Sequence, residues 1–172
     1  TGNVNGVENS DVVYRPYSIF RVEEGGSIEA KGTQDEPIVF KNIDTHAGWN
    51  GIEITLPDNG EVTDTFEYCY FINGGAQFRD FTEGLIDVSH GTKNTKFNLT
   101  VDHCIFDSTE LVSKNILQPS EIGAGFFYGD YDANTVESNI KISNSMFKSL
   151  SMGIEGYTKD LSYEYFYNDK SK

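Results

Sequence analysis

Two cysteines stand in 172 residues, Cys69 and Cys104. That is too few for a disulfide scaffold, and neither has the Cys-x-x-Cys partner that a zinc site or a thiol redox motif uses. Basic residues are scarce as well. Lysine and arginine number 13 against 27 aspartates and glutamates, a formal charge of −14, which excludes a nucleic-acid backbone or an anionic membrane surface as the natural partner. No apolar run approaches the ~20 residues that a bilayer-spanning helix needs, so no transmembrane span is expected. Long windows of helical period are missing too, and most breaks carry Gly, Asn, Asp or Pro, so helix should be scarce. The opening "TGNVNGVENSD" is polar and has no initiator Met, which reads as a mature protein or an excised segment.

What the chain does contain is a repeated phrase. "FEYCYF" (66–71), "VDHCIF" (101–106), "ISNSMF" (142–147) and "LSYEYF" (161–166) share one frame that closes on Phe71, Phe106, Phe147 and Phe166. Ahead of each copy stands a glycine followed by apolar residues: Gly51-Ile52, Gly84-Leu85, Gly125-Phe126 and Gly153-Ile154. The order of the two markers is constant while their spacing varies, which predicts coils with loop insertions. Alternating pairs such as Ile28 with Ala30 and Ile38 with Phe40 read as short half-buried strands.

The frame itself demands a bend. Ile142 and Phe147 are an odd number of residues apart, so one straight strand cannot turn both to the same face. With Ser143-Asn144 as a tight corner, Ile140, Ile142, Ser145 and Phe147 all point inward, and Asn144 tolerates the left-handed conformation. The equivalent positions Tyr68, His103 and Tyr163 are less suited to it. Short strands, tight corners and a recurring inward Phe predict an all-β solenoid, with the four Phe residues in an internal stack at the ~4.8 Å interstrand spacing.

"GGSIEAKGTQDEPIVF" (25–40), then "GWNGIEI" (48–54), then the Asn-Ser-x-Phe coils resemble the right-handed parallel β-helix proteins of the pectin-lyase-like superfamily. More narrowly, they are similar to secreted or surface-anchored β-helix proteins common in Bacteroidota. The resemblance covers about residues 19–167. It implies a right-handed parallel β-helix with long loop insertions and little helix, residues 1–18 forming an N-terminal cap or linker and 19–172 the solenoid. It also implies an extracellular or cell-surface location. It does not select an activity, because this superfamily holds lyases, hydrolases, epimerases and members without known chemistry.

Catalysis finds little support in the residues. Polysaccharide lyases of this fold use Arg or Lys beside a uronate, commonly with calcium, and hydrolases need paired carboxylates. Here the arginines are Arg15, Arg21 and Arg79 alone, and the Asn-Thr-Asp, Asp-Asp, Gly-His-Gly and Arg-Ile-Lys phrases of the polygalacturonases are absent. Asp102 and Asp107 flank the Cys104 strand and could face a groove. His103 beside Cys104 suggests a nucleophile and base, but strand neighbours point to opposite faces. A structural role is expected for all three histidines, and two buried thiols in a stack are preferred over a disulfide.

Binding candidates lie mainly in the insertions. Residues Phe78, Arg79, Asp80 and Phe81 in one, with Glu110, Lys114 and Gln118 in the other, form the expected ligand-binding surface. The loop "GDYDANTVES" places Asp130, Asp132 and Asn134 at the spacing that opens a calcium loop. Thr135 and Lys141 depart from the EF-hand pattern, so calcium stands beside an ordinary acidic turn as the two readings. Outward tyrosines among Tyr68, Tyr70, Tyr163, Tyr165 and Tyr167 could stack on sugar rings, and Trp49 is expected to pack a corner. Asn98-Leu99-Thr100 matches the N-glycosylation acceptor pattern, and Asp107-Ser108-Thr109 resembles the O-glycosylation phrase of Bacteroidota. "LSYEYFYNDKSK" begins another coil and stops in charged residues, which predicts an open edge covered either by a further C-terminal portion of a longer solenoid or by a partner protein. The expected function is a non-catalytic recognition or scaffolding module of a surface assembly. A carbohydrate-binding module is the first alternative, and a lyase or hydrolase of acidic polysaccharide the second.

Overall fold

The computed structural model describes residues 19–42, 49–75, 84–89, 94–113, 123–129, 136–156, 161–163 and 166–169. The strands are β1 (Ile19–Val22), β2 (Glu29–Lys31), β3 (Ile38–Lys41), β4 (Gly51–Thr55), β5 (Gly60–Glu67), β6 (Cys69–Ile72), β7 (Gly84–Ser89), β8 (Thr95–Asp102), β9 (Ile105–Asp107), β10 (Ala124–Gly129), β11 (Val136–Ser143), β12 (Ser145–Lys148), β13 (Met152–Gly156), β14 (Leu161–Tyr163) and β15 (Phe166–Asp169). A single short helix among the described residues, α1 (Thr109–Ser113), follows β9. The fold is all-β. Its strands form three five-stranded sheets, β1-β4-β7-β10-β13, β2-β5-β8-β11-β14 and β3-β6-β9-β12-β15. The chain therefore visits a first, a second and a third sheet in turn, and each strand pairs in parallel with the strand three places on.

Alternation explains why these segments are strands. In β5, Val62, Asp64 and Phe66 are buried while Glu61 and Thr63 are exposed, and β8 repeats the phase with Phe97, Leu99 and Val101 inward. A coil of three short strands has too little apolar surface to close a core alone. Stacking in register joins the inward residues into continuous columns. One column runs Ile52, Ile86, Phe126 and Ile154 through the first sheet. Another runs Phe40, Phe71, Phe106 and Phe147 through the third. The successive rings of that Phe column lie 5.1, 4.7 and 4.6 Å apart and within 9° of parallel.

Three of the four expected Phe residues thus stack, and the backbone register does not bring Phe166 to their level. β15 places Asn168 opposite Phe147 and Phe166 opposite Ser145. The column ends instead on Phe40, at the other side of Phe71. "LSYEYF" is out of frame by two, because Tyr163 pairs with Ile142 and so does not take the corner position of Asn144. A two-residue slip preserves which side chains face inward, so the apolar pattern alone cannot detect it. The glycine marker has a similar exception. Gly51 lies opposite Leu85, Gly125 and Gly153 share that level, and Gly84 falls one residue short of it.

Gly51 is where absence of a side chain is indispensable. Its φ is +124°, and a Cβ there would sit 2.5 Å from the carbonyl oxygen of Leu85. Beside it, Trp49 is buried, donates Nε1–H to the Ile72 carbonyl at 2.9 Å and faces Phe40 across 6.4 Å. It packs a corner, as expected.

Candidate recognition surface

The second and third sheets meet at the same tight corner in three successive coils. Tyr68, His103 and Asn144 occupy it with φ of 50°, 53° and 50°. The same bend forms whether the residue suits it or not. Backbone bonds run along the corner from Gly32 N–H to Glu67, from Tyr68 N–H to Asp102 and from His103 N–H to Ser143, at 2.8, 3.0 and 3.2 Å. Left-handed backbone at a non-glycine residue costs ~1–3 kcal/mol, least for Asn and most for a bulky residue such as Tyr. The ladder over-determines the bend, which is why the expected difficulty at Tyr68 and His103 does not prevent it.

What these side chains do in return is visible on the outside. The Tyr68 and His103 rings stack at 4.6 Å and 17°, an arrangement worth ~0.5–1.5 kcal/mol. Behind them, Asp102 collects three side chains. Its Oδ1 accepts from Ser143 Oγ at 2.7 Å and from Asn144 Nδ2 at 2.8 Å, and its Oδ2 accepts from His103 Nδ1 at 2.8 Å. Partial burial pushes the Asp102 carboxyl up, but the bonds from Ser143, Asn144 and His103 outweigh it and hold the group below the ordinary carboxylate range. With Nδ1 bonded to Asp102, Nε2 is the ring nitrogen left for another partner.

A Ser, a His and an Asp share this corner without making a nucleophilic triad. The Ser143 hydroxyl donates to the carboxylate rather than to the imidazole, so the imidazole is not placed to take its proton. Cys104 is no nucleophile partner either. It is buried while the neighbouring His103 is exposed, and its Sγ donates to backbone carbonyls of Phe66 and Asp102. Cys69 and Cys104 are free buried thiols, and the hydrogen bond with Cys69, then burial, push the Cys104 thiol up.

Next to the corner, the outer face of the third sheet carries a second column. Val39, Tyr70, Ile105 and Met146 are in register, with Tyr167 on the next strand. Val39 is 45 % exposed, and Tyr70, Ile105 and Met146 are half-buried. An apolar stripe therefore lies beside a polar corner, both parallel to the stacking direction. The sequence contained the signal, in the outward tyrosines and the Ile105 and Met146 positions of the frame. Only register shows that they align.

Of the expected ligand-binding residues, Glu110 is placed. It lies exposed on α1, whose first turn is capped by Asp107 Oδ1 accepting from Thr109 N–H at 2.8 Å, and its Oε2 accepts from Asn73 Nδ2 at 2.7 Å. Phe78, Arg79, Asp80, Phe81, Lys114 and Gln118 lie outside the described residues, as do the calcium candidates Asp130, Asp132 and Asn134. Among the described residues no cluster of three or more His, Cys, Asp or Glu could hold a metal ion.

The glycosylation patterns meet different surroundings. Asn98 lies within β8, with Nδ2 donating to Glu61 Oε1 at 2.9 Å and Thr63 Oγ1 at 3.3 Å. Ser108 is fully buried and donates to the Gly74 carbonyl at 2.9 Å, so in the folded chain its hydroxyl is closed to a sugar.

No family model matches this chain, and no curated protein or solved structure matches it.

Proposed function

We propose that the three sheets wind as a right-handed parallel β-helix and that the chain is an extracellular or cell-surface module that recognises or scaffolds within a surface assembly. The cyclic order of strands through three parallel sheets supports the winding. The observation that carries the role is the outer face of the third sheet, where an apolar column in register lies beside the Tyr68–His103–Asn144 corner. The Ser143 hydroxyl beside that corner is committed to Asp102. A rigid frame that displays side chains at fixed intervals suits binding.

Carbohydrate binding is the second reading, favoured by Tyr68 and Tyr70 on that face. Another chain at the edge formed by β13, β14 and β15, each paired on one side among the described residues, would complete the assembly. No helix among the described residues is long and apolar enough to cross a membrane. The test is incubation of the whole chain with pectate or alginate, with and without calcium. No unsaturated or reducing-end product above a heat-killed control is expected; release that Asp102→Ala or Asp130→Ala abolishes would overturn the reading in favour of a lyase or hydrolase.

A further inference from the structure

We infer that the corner ladder and the adjoining apolar stripe form one binding strip for a neutral linear oligosaccharide, which gives the recognition reading above its ligand class and rests on it. The argument begins with strain. Asn144 shows that this corner can be built from a residue that suits it, yet the two preceding coils place a tyrosine and a histidine there in left-handed conformation. Strain held at an exposed His103 and a half-buried Tyr68 points to use of the side chains, not to the needs of the backbone.

The geometry indicates what is used. Tyr68 and His103 stack face to face along the direction in which coils succeed one another, so their faces cover each other and their edges look outward. The edges carry the Tyr68 hydroxyl and His103 Nε2. Asn144 adds a carboxamide one coil on, and Asp102 holds both His103 and Asn144 in place. The result is a ladder of hydrogen-bonding groups spaced by one coil. Beside it runs the stripe Val39, Tyr70, Ile105 and Met146.

A strip that is polar along one margin and apolar along the other matches a chain of hexoses, whose ring C–H faces are apolar and whose rims carry hydroxyls. Charge narrows the class. Glu67 and Asp102 occupy adjacent positions just behind the ladder, and the whole chain carries −14, so uronate polymers are repelled. An extended peptide gains most at an open strand edge, where its main chain is paired; this strip lies on a sheet face.

The experiment is calorimetric titration of the whole chain with mannohexaose, cellohexaose and, as the polyanion, hexagalacturonate. At least one neutral hexamer should bind, with hexagalacturonate at least about tenfold weaker. Tyr68→Gly installs a residue that adopts left-handed backbone freely and His103→Asn the residue that this corner uses at Asn144, so both should melt no lower than the parent while losing at least about tenfold in affinity. Tyr68→Phe removes only the hydroxyl and should lose about threefold or more. Binding by neither neutral hexamer, or equal binding by hexagalacturonate, would overturn the inference. Neutral binding that survives all three substitutions would overturn this site yet leave the recognition reading standing, so the two failures are distinguishable.

Discussion

Two columns of stacked rings run through this molecule at nearly the same spacing, and they behave differently. Inside, Phe71, Phe106 and Phe147 follow one another at 4.7 and 4.6 Å. Outside, Tyr68 and His103 stack at 4.6 Å. The inner rings are fully buried on unstrained strands, whereas in the outer pair His103 is exposed and Tyr68 half-buried, both on left-handed backbone. Stacking geometry is therefore a consequence of register in both places, while its energetic weight comes from burial. Burying a Phe side chain contributes about 1.5–3 kcal/mol, whereas an exposed stack at a strained corner comes close to cancelling its own backbone cost.

Breaking the inner column should have the largest effect. Phe106 has a ring on either side and no exposure, so Phe106→Ala is expected to lower stability by ~3–5 kcal/mol in urea unfolding. Phe40→Ala, at the half-buried end of the same column, should lose clearly less. Equal losses would show that the column does not act through burial.

Gly51→Ala comes next. The added Cβ meets backbone at 2.5 Å and the φ of +124° is unfavourable for any side chain, so a loss of about 2 kcal/mol or more is expected. A melting temperature equal to the parent's would contradict the close approach of β4 to Leu85.

Two aspartates on adjacent strands sharpen the comparison through pH. Asp64 faces inward, has no exposure, accepts from Ile28 N–H at 2.7 Å through Oδ1 and leaves Oδ2 without a partner. Burial pushes its carboxyl up despite that bond. A folded-state value above the unfolded one means that Asp64 favours folding when protonated and opposes it once pH has passed through both values. Asp64→Asn should thus raise the melting temperature by about 2–4 °C at neutral pH, roughly 1 kcal/mol, and the gain should shrink as pH falls into the ordinary carboxylate range. Asp102 has the opposite sign. Its hydrogen bonds hold the group below the ordinary range, so its contribution is present above the unfolded value and lost as pH falls through the folded one. Asp102→Asn should destabilise by less than about 1 kcal/mol at neutral pH and by nothing in acid. A pH profile of melting for the two variants checks both signs at once.

Much of the frame was legible without coordinates, because a period of two in burial leaves its mark on residue type. The bend at Ser143-Asn144 followed from the odd spacing between Ile142 and Phe147, and the opposite facing of His103 and Cys104 followed from strand alternation. Phe166 was misplaced for a definable reason: a slip of two residues keeps the same facing, and only pairing of β14 and β15 with their neighbours separates the alternatives. The corner at Tyr68 and His103 was undervalued because local preference opposes it, and the backbone ladder that overrides that preference is made between coils far apart in sequence.

The order of residues by itself determined an all-β chain of short strands, its inward columns and its acidic surface, since each depends on local alternation and composition. Register between coils was left to the tertiary structure, and with it the partners of Asp102, the burial of Ser108, the exposure of the Val39–Met146 stripe and the orphaned oxygen of Asp64. Those features arise where residues 34 to 42 positions apart are brought to one level, and the free energy that fixes the level is summed over whole columns, not encoded at any single position.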